Sequence, residues 1–466
     1  MRHLHLYIAI FILSSCSSFI DVTPLSDNSV DNFYKTEQEM DQAVVAIYDG
    51  VQTLVRPAYL DLFAEITSDN TYNFATTPNG GANANFDNFN LATNNTYLNR
   101  FWTASYAAIQ RSNIVLSRID AVSIADLKKN GRKGEALFLR SLVYFYLVQI
   151  WGDVPLVLDE TKNPISHIDK GRDAKSKILD QILVDLKSAE EFLPVTYASI
   201  DQGRVTKGAA QALLARVYLH MKDYPNVIDY TNKVISSSNY ELDVEYETFF
   251  DTKKVSKENI FVINFKSGTN SEGYPFSNVN HDYDNTASYD LMNYFKDDPR
   301  LNFNVSPTAI NTFYSKKLHN TAVNTDNTIN VRIIVLRYAD VLLMKAEALN
   351  FTNYPNTEAL ALVNKVRNRS GLSAVSFVDL SSKDLFHNKL MDERRIEFAF
   401  ENLRWFDLVR TGMASQVMSV KNLGGQRENS ASGLPYTFKD TFLLFPIPQT
   451  QIDASGGNLI QNPGYN

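Results

Sequence analysis

The 466-residue sequence predicts a mostly α-helical body with two long loop excursions and few short strands. Three observations carry this. Apolar residues recur at spacings of three and four through much of the first half. Two stretches far apart in the chain repeat one helix–turn–helix pattern. Residues 69–99 and 267–290 lose that period and are rich in Asn and aromatic rings. Hydrophobic residues make up 44% of the chain, ordinary for a body with a large core.

The chain opens with Arg2, then an apolar run from Leu6 to Leu13, then Ser14 and Ser15. Basic start, apolar middle and small-residue exit describe a secretory signal over 1–15, and the run is too short to span a bilayer. The only cysteine, Cys16, follows at once. Leu13-Ser14-Ser15-Cys16 is similar to the bacterial lipoprotein box, which makes Cys16 the lipidated first residue of the mature chain. Each buried methylene contributes roughly 0.8 kcal/mol, so several acyl chains anchor durably. Residues 16–30 then read as a lipidated tether with little helix signal. The rest reads as one continuous globular body, divided for description into 31–240 and 241–466.

Removing the signal takes away Arg2, so 45 basic residues become 44 against 52 acids, a net −8. No basic stripe exists to replace phosphate counterions, which argues against a nucleic-acid partner. With no cysteine left after lipidation, stability rests on the core. Aromatic residues are plentiful, 3 Trp, 24 Tyr and 28 Phe.

The first helix is predicted by Met40, Val44, Ile47, Val51 and Leu54. A second stripe, Leu139, Leu142, Val143, Tyr146, Leu147 and Ile150, is stopped by "WGDVP" at 151–155. A third, Leu179, Ile182, Leu186, Ala189 and Leu193, ends at Pro194. Trp102 and Trp151 lie on such helices and read as core. The internal repeat pairs 212–235 with 341–367: each is an alanine-rich helix, a polar turn, Tyr-Pro-Asn, and a second helix ending in Asn-Lys-Val. Pro225 and Pro355 fit the first turn of that second helix. Such pairs look like tetratricopeptide units, which stack into a curved scaffold. Residues 259–265 ("NIFVINF") alternate as a short strand.

The stretch 392–412, "DERRIEFAFENLRWFDLVRTG", alternates charge at helical spacing. It reads as a helix laced by ion pairs three and four residues apart, with Ile396, Phe400 and Leu403 buried. No metalloprotease, nucleophile-elbow, P-loop or dinucleotide-binding motif is present, so no enzyme activity and no cofactor are expected. "DYDNTASYD" (282–290) lacks the glycine turn and distal Glu of a calcium loop, and no metal is expected there.

The excursions suggest binding. A sugar ring has an apolar C–H face and a hydroxyl rim; aromatic rings stack on the first, while Asn and Asp bond the second. The ligand-binding candidates are Asp69, Tyr72, Asn73 and Phe74 in the first excursion, and Tyr274, Phe276 and Tyr283 in the second.

Several long stretches, in order, carry a resemblance: "CSSFIDVTP" (16–24), "FWTASYAAIQRSNIVLSRI" (101–119), "EALFLRSLVYFYLVQIWGDVPLV" (135–157), "VLRYADVLLMKAEALN" (335–350), "RRIEFAFENLRWFDLVRTG" (394–412) and "FPIPQTQIDASGGNLIQNPGYN" (445–466). Together they resemble the SusD/RagB family of outer-membrane nutrient-binding lipoproteins over nearly the whole chain. Two departures are visible: Glu401-Asn402-Leu403 stands where the family usually has Glu-Gly-His, and Gln451 where it has Glu. The resemblance implies a SusD-like fold with four tetratricopeptide-like helix pairs and cell-surface display on the outer membrane. It also implies capture of oligosaccharides without catalysis, and delivery to a SusC-like TonB-dependent barrel. Peptides are the alternative ligand, as in the RagB-type branch.

Overall fold

The structure, a computed structural model, describes residues 33–72, 81–163, 165, 167–198, 201–268, 273–275, 286–307, 313–318, 328–420 and 438–465. The signal and Cys16 lie outside the described residues, as do Asn73, Phe74, Phe276 and Tyr283.

Helix α1 (Glu37–Leu54) starts where the Thr36 side chain and Glu39 cap each other's backbone, a reciprocal pairing that satisfies otherwise orphaned N–H groups. Met40, Val44, Ile47, Val51 and Leu54, the expected stripe, are fully buried. They face α3 (Thr96–Arg118), whose first turn is capped by the Asn95 side chain. Between them α2 (Gly81–Asp87) lies inside the stretch read from sequence as continuous loop, and buries Phe86. Seven residues are too few to show a helical period, which is why the sequence pattern conceals it.

Helix α4 (Asp126–Trp151) stops at Gly152, whose φ of 72° lies where side chains are disfavoured. It pairs with α5 (Lys175–Phe192), which ends just before Pro194. Trp102 and Trp151 are both buried and meet edge to face at 5.0 Å. The third pair is α6 (Lys207–His220) with α7 (Tyr224–Ser236). The fourth, after an inserted region described below, is α10 (Tyr338–Thr352) with α11 (Thr357–Arg369).

These are the four helix pairs, and successive pairs abut: α3 on α4, α5 on α6, α7 on α10. The last contact joins the two sequence repeats across a hundred residues. Tyr224 stacks on Phe351 with ring centroids 4.8 Å apart and planes 4° apart. Pro225 occupies the first turn of α7 as expected. Pro355 does not occupy that of α11: Asn356 is the capping residue, so the proline sits outside the helix.

Strand β2 (Asn259–Phe265) forms as predicted and runs antiparallel to β8 (Val331–Arg337). Among the described residues between them lie only short pieces: β3 (Tyr274–Pro275), β4 (Thr286–Ala287), α8 (Tyr289–Tyr294), α9 (Pro299–Asn304), β5 (Val305–Pro307), β6 (Phe313–Ser315) and β7 (Thr328–Ile329). The chain closes with α12 (Lys383–Glu397), α13 (Arg404–Thr411), α14 (Ala414–Val420) and α15 (Gln449–Ala454). The expected single charged helix over 392–412 is therefore two helices. A turn at 398–403 separates them, with Phe400 and Asn402 at φ 64° and 59°.

Candidate ligand-binding face

The two excursions share one root. Strand β1 (Thr71–Tyr72), at the base of the first, pairs antiparallel with β4, at the base of the second: Thr71 opposes Ala287 and Tyr72 opposes Thr286. Strands β5 and β6 pair beside them, with β6 against β4, and β3 pairs with β7. Residues 73–80, 276–285, 308–312 and 319–327, which the chain threads between these strands, lie outside the described residues. Asn73, Phe74, Phe276 and Tyr283 belong to them.

Strands of two and three residues cannot hold themselves in water. Buried ion pairs hold these. Arg404 grips both carboxylate oxygens of Asp69 at 2.7 and 2.8 Å. Arg395 donates to the Asp69 carbonyl at 2.9 Å and to the Asn70 side chain at 3.1 Å, and reaches Asp290 of α8 at 2.6 Å. One guanidinium on α12 thus ties the first excursion to the second. Ser288 adds two bonds, its N–H to the Asn70 carbonyl and its hydroxyl to the Asp69 carbonyl, both 2.8 Å.

The rest of the inserted region is clamped the same way. Arg300 of α9 donates to Glu393 and Glu397. Lys317, just past β6, bonds Glu401 at 2.5 Å. Arg337, at the end of β8, spans Glu258, Glu397 and Glu401. Burial alone would raise the Glu397 carboxyl, but Arg369, Arg337 and Arg300 outweigh it and hold the group well below the usual carboxylate range. The charged stretch is structural, as expected, but its partners are long-range. Among the ion pairs of residues 394–410, only Arg410–Asp407 is three residues apart. Leu403 is half-buried, not buried.

A fully buried carboxylate underlies this root. Glu65 sits on the π-helical turn Leu62–Ile66 and accepts from the Asn70 side chain at 3.0 Å and the Phe400 N–H at 2.9 Å. Burial pushes its carboxyl up to about 7, against the pull of those two donors.

Three of the expected ligand residues need correction. Asp69 is 2% exposed with both oxygens spent on Arg404, so it is a fastening and not a ligand contact. Tyr72 is 7% and Tyr274 6% exposed, and the Tyr274 ring stands edge-on to Phe265 at 5.2 Å. Burial drives the Tyr274 hydroxyl well above its ordinary value, so it stays protonated. Both rings pin the bases of the excursions. The polar tip and the neighbouring Asn residues that suggested a sugar contact are equally what a strand root uses.

Sequence reading also missed rings that the structure exposes. Among the described residues the most exposed aromatic side chains are Tyr294, Tyr289 and Phe303, at 58, 44 and 37%, all within sixteen residues after β4. A cavity of about 660 Å³ opens elsewhere, between α3, residues 155–170 and α15, over Trp102 and Tyr106. Three of its polar side chains, Gln110, Asn113 and Tyr106, are committed to backbone. Gln110 exchanges bonds with Thr161 at 2.9 and 3.0 Å, Asn113 donates to Val157 and Asp159, and the Tyr106 hydroxyl donates to Pro155.

Residues 228–465 match the model of the SusD family, and residues 18–219 match one described as "Starch-binding associating with outer membrane". SusD-like protein P2 of Formosa agariphila is 25% identical over 98% of both chains, and a SusD-like protein of Bacteroides ovatus is 24% identical over 85% of this chain and 80% of that one. Among solved structures, a laminarin-binding SusD-like protein superposes with a TM-score of 0.79 at 24% identity, covering 93% of this chain and all of that one. Surface glycan-binding protein A of Bacteroides thetaiotaomicron, in complex with laminarihexaose, gives 0.75 at 21%, over 92% and all respectively. With four helix pairs, a clamped inserted region and a family match over more than half its length, this chain belongs to the SusD family.

Proposed function

We propose that this protein is a non-catalytic, surface-displayed lipoprotein of the outer membrane, anchored through Cys16. It captures oligosaccharides and delivers them to a SusC-like TonB-dependent barrel. The observation that carries the reading is the common root of the two Asn- and aromatic-rich excursions, locked by Arg395. Two segments so fastened face one ligand together, and their residues Asn73, Phe74, Phe276 and Tyr283 are the proposed contacts. Preorganisation of this kind lowers the ordering cost of binding. Similarity to a laminarin-binding protein and to one solved with laminarihexaose supports a neutral glycan over a charged ligand.

Isothermal titration against laminari-, malto-, cello- and xylo-hexaose, with oligopeptides in parallel, tests this. Binding to at least one glycan, recovered intact by chromatography after long incubation, is expected. Binding to peptides alone would replace the reading with an oligopeptide lid, and hydrolysis of the glycan would replace it with an enzyme.

A further inference from the structure

Helix α8 follows β4 directly and is fixed at both ends. Ser288 caps it, accepting from the Leu291 N–H at 3.1 Å, and the same residue is bonded to the first excursion's root. Asp290 is paired with Arg395 at 2.6 Å, and the Tyr294 hydroxyl donates to Asp392 on α12 at 2.8 Å. Leu291 is buried and Met292 packs on the same small apolar cluster, which sets the inward side. The helical period of about 100° per residue then orders the outward side as Tyr289, Asn293, Asp290, Tyr294. Two polar side chains thus lie between two aromatic ones.

Such exposure is unusual for this chain. Apart from Phe303 on α9, no other aromatic ring among the described residues is as open. An exposed ring held by its hydroxyl gives up little side-chain entropy when a ligand covers it. Alternation of ring, amide, carboxylate and ring matches a pyranose chain, which offers apolar C–H faces flanked by hydroxyls.

We infer that α8 is a further wall of the ligand-binding face, where Tyr289 and Tyr294 stack on sugar rings of a neutral oligosaccharide and Asn293 and Asp290 meet its hydroxyl rim. This rests on the glycan reading above and assigns part of the site to residues outside the excursions. Arg395 closes the arrangement: it bonds Asp69, Asn70 and Asp290, and its guanidinium lies 5.9 Å from the Tyr294 ring. The wall and the first excursion therefore share one anchor.

The test uses the full-length mature protein and whichever hexasaccharide of the panel it binds. Tyr289→Ala and Tyr294→Ala should each weaken binding about fivefold or more, and the double variant about 30-fold. Tyr294→Phe keeps the ring and should stay within about twofold. Thermal unfolding checks that each variant folds; should Tyr294→Ala fail, Tyr289→Ala carries the measurement. Wild-type affinity in the double variant would overturn the wall and leave the glycan reading standing. Loss in Tyr294→Phe equal to that in Tyr294→Ala would also overturn it, because the hydroxyl bridge and not the ring would then matter. Failure of the unmodified protein to bind any glycan of the panel would overturn both.

Discussion

Asn402 shows how one backbone angle explains a departure from the family pattern. The turn between α12 and α13 must reverse quickly enough to bring Arg404 back onto Asp69, and it does so with φ of 59° at residue 402. Glycine, the usual residue there by resemblance, adopts that angle freely; asparagine is the side chain that tolerates it best after glycine. The exchange keeps the turn, consistent with reading the segment as structural from sequence. Asn402→Gly should leave urea-denaturation stability within about 0.5 kcal/mol of the parent, while the β-branched Asn402→Val should lose about 1–2 kcal/mol. Equal stability of the valine variant would mean that the turn relaxes and the angle is not enforced. Phe400, at 64°, is the harder case: its side chain is buried in the small cluster with Leu291 and Leu301, so packing holds an angle that its type disfavours.

At the scale of elements, what the sequence revealed divides by the distance over which information is encoded. Helix α1 was legible because its stripe is local; its capping pair, Thr36 and Glu39, is local too but was not read. So were the ends of α4 and α5, marked by Gly152 and Pro194. Helices α2 and α8, of seven and six residues, are too short for a period; Phe86 and Tyr289 fell within stretches read as loop. The alternating charges of 392–412 were visible, but their partners were not: Arg404 and Asp69 are 335 residues apart. The error over Asp69 follows from this, since only the fold supplies its counterions.

The same clamp predicts unequal costs along one network. Asp69→Ala strands the buried guanidinium of Arg404, and leaving one member of a buried pair uncompensated costs roughly 3–5 kcal/mol. Asp290 also pairs with Arg395, but its side chain is 55% exposed. Asp290→Ala should cost less than about 1 kcal/mol. Differential scanning calorimetry of the two variants checks the ordering. A mild Asp69→Ala would show that the strand roots stand without the clamp.

For the molecule as a whole, two buried groups tilt stability with pH in opposite directions. His220, at the end of α6, has both ring nitrogens buried without a hydrogen-bond partner, and its ring stands edge-on to Phe145 at 5.5 Å. Burial, with Lys175, Arg410 and Lys222 nearby, lowers it to about 3. The unfolded chain takes up that proton first, so the stability tied to neutral His220 is present above about pH 6.5 and is lost as pH falls. Glu65 is the reverse. Its carboxyl lies at about 7 in the folded protein and about 4.5 unfolded, so the unfolded chain ionises first. Stability tied to protonated Glu65 is present below about pH 4.5 and is lost as pH rises through 7. Between pH 4.5 and 6.5 the two slopes oppose, each approaching about 1.4 kcal/mol per pH unit, so the contributions of these two groups largely offset there. Single variants separate them. Relative to the parent, His220→Phe should gain stability as pH drops from 6.5 to 4.5, and Glu65→Gln should gain it as pH climbs from 4.5 to 8. Denaturation midpoints across that range decide it: two variant curves running parallel to the parent would mean that neither group titrates out of step with its unfolded value.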